Sequence, residues 1–135
     1  EQNISWVEDE SNADDHHPRN FLRHRILPIL EEKFPAYRKT LSRSALNFSE
    51  ASSLLDELAR IDAQSAIQNG TLGISTLRTL EQVRAKNLLR YFMGVMGAPM
   101  PAVAKLDDIL RQLLTARNDA MICIHYGDWQ VRRYK

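Results

Sequence analysis

Two arginines and two asparagines near the start of the chain have the types and spacing to handle phosphate. Arg19 and Arg23 are four apart, Asn20 is three before Arg23, and Asn12 lies in an acidic, turn-prone stretch with Asp9, Ser11, Asp14 and Asp15. Pro18 suits the first position of a helix, because its missing N–H needs no partner there and its φ is preset. On such a helix Arg19 and Arg23 share a face. Leu22, Ile26, Ile29 and Leu30 take a largely separate apolar stripe that can pack on a core. Two guanidiniums and an amide beside an acidic turn can organise a catalytic edge or bind phosphate. The same residues equally make a helix N-terminus held by local ion pairs.

Other chemistries have weaker footing. His16, His17 and His24 near Asp9, Asp14 and Asp15 invite a metal, but adjacent histidines in a turn point apart. No H-x-x-x-H pair exists and no cysteine joins them, so no metal site is expected. Ser-His-Asp catalysis has no G-x-S-x-G elbow. The carboxylate pairs Asp14–Asp15 and Asp107–Asp108 are sequence neighbours, which rarely converge on one substrate atom. The single cysteine, Cys123, excludes an internal disulfide and fits a reducing cytoplasm. In the alternating run 121–126 it reads as a small strand residue, not as a nucleophile.

Charge is unevenly spread. Residues 1–17 hold six acids and no Lys or Arg, leaving 11 acids against 18 bases over residues 18–135, a net of +7. A basic body of this kind can attract a polyanion through counterion release, although a pI of about 8.2 is moderate and many basic surfaces bind nothing. Charge placement alone marks Arg38, Lys39, Arg43, Arg84, Lys86 and Arg90 as candidates for an RNA backbone. A merely solvated face, with Tyr91 at the edge of the core, is the competing reading.

The elements that must position these residues are mostly helical. Residues 1–8 read as an extended lead-in with Ile4, Trp6 and Val7. A first helix spans about 18–34, kinked or split by Pro28 and ended by Pro35. A second spans about 36–68, with Leu41, Ala45, Phe48, Leu55, Leu58 and Ile61 as its buried positions and a break allowed near Ser49–Ser53. Asn69-Gly70 makes a turn, residues 71–75 a short strand, and 77–96 a third helix burying Leu80, Val83, Leu88, Phe92 and Val95. A fourth helix over 102–117 buries Val103, Leu106, Ile109, Leu110, Leu113 and Leu114, ending at Asn118-Asp119. Residues 121–126 and 129–134 form a β-hairpin through a type II′ Gly127-Asp128 turn, and the strand at 71–75 can join them in one sheet. The fold class is therefore mainly α, about four helices with a small antiparallel β-hairpin or sheet near the C-terminus. At 135 residues the chain can bury a real core. It has no apolar run long enough to span a membrane and no signal-peptide pattern. It starts at Glu1, and an excised fragment explains that start most simply.

The block D-x-S-N followed by R-N-x-L-R-x-x-I-L-P resembles the end of the catalytic domain of the tRNA(Ile)-lysidine synthase family. Asp9, Ser11, Asn12, Arg19, Asn20, Leu22, Arg23, Ile26, Leu27 and Pro28 carry it, with Trp6-Val7-Glu8 before them. The likeness continues more loosely through Leu54–Leu58, Ala98–Pro101 and Arg132-Arg133-Tyr134. The family's ATP-handling loop, a serine- and glycine-rich turn followed by Asp-Ser, is absent, and no two of the five glycines are adjacent. The resemblance implies a tail of the catalytic domain and linker helix over 1–35 and a helical tRNA-binding domain over 36–135. It implies a parent ligase that uses ATP with Mg²⁺ to attach lysine to the wobble cytidine of tRNA(Ile) bearing a CAU anticodon. This stretch alone would be inactive and hold no cofactor of its own. Asn12, Arg19, Asn20 and Arg23 would stand at the catalytic boundary. The expected setting is cytoplasmic, without membrane contact, and compatible with a homodimer. The alternative is a helical protein–protein or dimerisation module without RNA contact, recognisable by an exposed apolar patch.

Overall fold

The computed structural model describes residues 10–117 and 119–134. The lead-in with Trp6, the acidic residue Asp9 and the helix end at Asn118 lie outside them. The chain divides into two compact units, Glu1–Ser49 and Glu50–Lys135.

In the first unit a 3₁₀ turn, Glu10–Ala13, precedes α1 (Pro18–Phe21), a π-helical turn (Leu22–Ile26) and α2 (Leu27–Lys33). Pro18 occupies the first turn of α1, as its chemistry favours. The expected disturbance at Pro28 takes the form of the π turn. Pro28 cannot donate to the His24 carbonyl, and the preceding Leu27 N–H reaches five residues back to Leu22. Phe34 leaves the helical region (φ −136°, ψ 71°), as a residue before proline is steered to do. None of the residues of α1, the π turn or α2 is fully buried. Of the expected stripe, Ile26 and Leu30 are half-buried, while Leu22 and Ile29 are exposed.

α3 (Tyr37–Ala66) is a helix of 30 residues without the break allowed at Ser49–Ser53. Serine lowers helix propensity by only a fraction of a kcal/mol, about 0.5, too little to interrupt a ladder already propagating. Its expected buried positions are not its buried positions. Leu41, Phe48, Leu55, Leu58 and Ile61 are all exposed, and Ala45 is too; the buried residues are Ala59, Asp62 and Ala66. Small side chains and one carboxylate, not large apolar ones, face the core.

The second unit closes around the end of α3. β1 (Ile67–Gln68) and β2 (Thr71–Leu72) form a tight antiparallel hairpin. Its two turn residues, Asn69 (φ 51°) and Gly70 (φ 73°), both take the left-handed region that a type I′ turn requires. The strand expected over 71–75 stops at Leu72, because the Gly73 N–H returns to the Ala66 carbonyl and α4 (Ile74–Thr79) begins. The third helix expected over 77–96 is in fact α4 and α5 (Gln82–Val95), separated by extended backbone at Leu80 and Glu81. The Thr79 hydroxyl donates to the Thr76 carbonyl and finishes α4. That interruption resets the helical phase. α5 buries Ala85, Leu88, Leu89 and Met93, whereas Val83 and Val95, expected inside, are exposed. α6 (Val103–Thr115) buries Leu106, Ile109, Leu110 and Leu113 as its periodicity predicts, with only Val103 outside.

β3 (Cys123–Tyr126) and β4 (Trp129–Arg132) pair Tyr126 with Trp129 and Ile124 with Val131 across a two-residue turn. Gly127 alone in that turn has positive φ (54°), the signature of type II′. The two hairpins remain separate two-stranded sheets, not one sheet. The core joins Ala66, Leu77, the buried faces of α5 and α6, and Ile124. Among the described residues no helix is long and apolar enough to cross a membrane.

Candidate phosphate-facing residues and their anchoring

The acidic turn and the first helix are stitched together by side chains. Asn20 uses both hydrogens of its amide, donating to the Ser11 carbonyl at 2.8 Å and the Asp14 carbonyl at 2.9 Å. Asp15 accepts from Arg25 Nε at 2.7 Å with one oxygen and lies 2.8 Å from His24 Nδ1 with the other. The Arg25 hydrogen bond, then that of His24, holds the Asp15 carboxyl below its ordinary value. The Asp14 carboxylate accepts from the His16 N–H. The local ion pairs foreseen for this helix therefore use His24 and Arg25. Arg19 and Arg23 are exposed and, like the Asn12 side chain, have no hydrogen-bond or ion-pair partner among the described residues. Asp15 and Arg25 were not legible as a pair: a turn residue and a helical residue ten apart share no periodicity.

Arg38 donates to Glu31 at 2.8 Å, and its guanidinium lies 5.5 Å from the Tyr37 ring centroid. Glu31 holds the Arg38 guanidinium above its ordinary pKa. Lys39 and Arg43, one and five residues further along α3, are exposed and have no ion-pair partner among the described residues.

The three basic candidates of α5 are all engaged. Arg84 grips the Asp62 carboxylate bidentately, with contacts of 2.7, 2.9 and 3.1 Å. Asp62 is only 7% exposed, so the guanidinium neutralises a charge inside the core edge. Arg90 bonds the Asn87 side-chain oxygen and Asp56, and buried Asn87 donates to the Leu55 carbonyl at 2.6 Å. Lys86 meets Asp107 of α6 at 2.6 Å. These bases fasten α5 to its neighbours, and each has an acid beside it. The acidic half of α3 supplies two of those acids, Asp56 and Asp62. Arg78 and Arg133 cap the end of α6 by donating to the Ala116 carbonyl. Among the described residues no group of three or more His, Cys, Asp or Glu could hold a metal ion.

Comparison with known proteins agrees with the motif block. Residues 72–135 match the family described as the TilS substrate binding domain, and residues 1–30 match the PP-loop domain. The tRNA(Ile)-lysidine synthase of Nitrosomonas europaea is 52% identical over 116 residues, 86% of this chain and 25% of that protein. That of Salmonella typhimurium is 41% identical over 133 residues, 98% of this chain and 31% of the relative. The chain thus spans between a quarter and a third of the length of these curated relatives.

Proposed function

We propose that this chain, which belongs to the tRNA(Ile)-lysidine synthase family, is the part of such a ligase that holds the tRNA while its wobble cytidine is modified. In the reaction this reading assigns to the parent protein, ATP supplies an adenylyl group that activates the cytidine of the CAU anticodon and lysine displaces AMP. ATP, with Mg²⁺, and lysine are taken up by the PP-loop domain, in the cytoplasm. The chain itself carries no glycine-rich phosphate loop, so its residues orient and bind. Asn20 and Asp15 fix the turn, and Arg19, Arg23 and Asn12 are left available to phosphate at the catalytic edge. The functional border lies near residue 35, followed by the tRNA-holding part. Lys39 and Arg43 are the bases of α3 that face the RNA backbone. Arg38, Arg84, Lys86 and Arg90 contribute to the field around it while paired.

One observation carries this reading. Arg19, Arg23, Lys39 and Arg43 are exposed cations without an acid beside them among the described residues, whereas the bases of α5 are engaged. Unneutralised guanidinium and ammonium groups are what phosphate recognition uses. The test is a gel-shift titration with tRNA(Ile) carrying CAU, beside an unrelated tRNA, at two salt concentrations. Preferential, salt-sensitive binding is expected. Equal binding of both tRNAs, or none, would overturn the assignment of recognition to this chain.

A structural or dimerisation role is favoured by a different observation: Leu54, Leu58 and Ile61 are exposed at helical spacing on α3. In that reading the helix packs against another part of the assembly. Substituting these three with polar residues would then change its oligomeric state and leave RNA affinity alone.

A further inference from the structure

Two adjoining clefts, of about 440 and 350 Å³, lie in the second unit between α5, the β1–β2 turn and the β3–β4 hairpin. Gly70, Phe92, Val131, Arg132 and Tyr134 border both. The floor is apolar, with Leu89 and Leu113 almost fully buried beneath it. The walls are aromatic. Trp129 is 40% exposed and Tyr134 75% exposed, and Tyr126 is the cross-strand partner of Trp129. Burial of a floor with exposure of its rings is unusual for a finished core, because indole and phenol faces left in water forgo their largest apolar contribution.

We propose that this cleft takes an unstacked base of the RNA, held against Trp129 and Tyr134. This inference rests on the tRNA-holding reading and adds to it a specific subsite. Charge favours an RNA occupant over an apolar peptide. The residues bordering the clefts include Arg132 and Arg133 and no Asp or Glu. Arg132, at the border of both clefts, has no ion-pair partner among the described residues. Aromatic faces beside a basic rim are the arrangement by which proteins hold single-stranded nucleotides, since every base offers a π-face. Apart from Gly70 and Thr71, the bordering residues fall within the stretch that matches the substrate binding domain.

The two tryptophans of the chain are Trp6 and Trp129, so a Trp6→Phe background leaves Trp129 as the one indole reporter. That protein is titrated with a short RNA hairpin carrying the CAU loop and with a fully paired duplex of equal length. The expected result is quenching of Trp129 by the hairpin and little by the duplex. Trp129→Leu and Tyr134→Leu should each weaken hairpin binding by roughly tenfold with an unchanged salt slope. Trp129→Phe, which keeps a ring, should retain most of the affinity, separating stacking from misfolding. Salt-sensitive hairpin binding with silent Trp129 fluorescence and unaffected variants would overturn the cleft and leave the tRNA reading standing. Equal quenching by the duplex would also overturn it. Failure to bind either RNA at low salt would overturn both.

Discussion

Asp15 accepts from two side chains at once, and its carboxyl is held below the usual 3.8, first by the hydrogen bond from Arg25 and then by that from His24. Because the folded state binds that proton less tightly than the unfolded one, the pairing contributes stability in full above pH 3.8. The contribution is lost as the pH falls from there through the lower, folded value. A ¹³C titration of the Asp15 carboxyl should give a midpoint under 3.8, and Arg25→Ala should move it back further than His24→Ala. A midpoint at the usual value in the unaltered protein would mean that the clasp does not form in solution. Asn87 makes the complementary case in the second unit. It is 7% exposed and joins the Leu55 carbonyl to Arg90, so Asn87→Ala removes a part-buried hydrogen bond to α3 together with an acceptor of the Arg90 guanidinium. Urea unfolding should register a loss of about 1–3 kcal/mol. Neither residue announced its role in the chain order. Arg19, Asn20 and Arg23 could be singled out because they are close in sequence, but the partners of Asp15 are 9 and 10 positions away and the Leu55 carbonyl is 32 from Asn87.

Among the elements, α6 and the β3–β4 hairpin were legible because their patterns are local and complete. Five of six apolar positions of α6 face inward or half inward, and a Gly-Asp pair set the hairpin turn. α5 was not legible in phase, because extended backbone at Leu80 and Glu81 divides what periodicity alone reads as one helix. α3 misled for the opposite reason. Its apolar residues have helical spacing, yet the face it buries is chosen by what sits across from it, which is a tertiary matter. The Asn69-Gly70 turn shows how strongly two residues can dictate an element. A methyl group at Gly70 would meet nothing within 4 Å, so its cost is purely that of the backbone at φ +73°. Gly70→Ala should therefore destabilise by about 1–2 kcal/mol without disturbing any neighbour, measurable as a lower urea midpoint at constant slope.

For the whole molecule, the net of +7 beyond residue 17 correctly flags a basic body but not which bases are available. Sequence counts charges; only the folded chain reveals which have been neutralised by acids nearby. Single Ala substitutions at Arg19, Arg23, Lys39 or Arg43 should each reduce the salt slope of tRNA binding by about one. Arg84→Ala should act chiefly through stability, seen as a lower melting temperature at an unchanged slope. If the slope falls equally for Arg84→Ala and for Lys39→Ala, the distinction between engaged and available bases is wrong. The fold's own assembly depends on the same economy of charge. The buried face of α3 in the second unit consists of Ala59, Asp62 and Ala66. Two alanines make a smooth rail on which a packed helix could slide by a turn at little cost. The carboxylate between them admits its guanidinium at one height only, since any shift would leave a bare charge at the core edge. Asp62 is thus an index mark, giving a slippery contact a single seat.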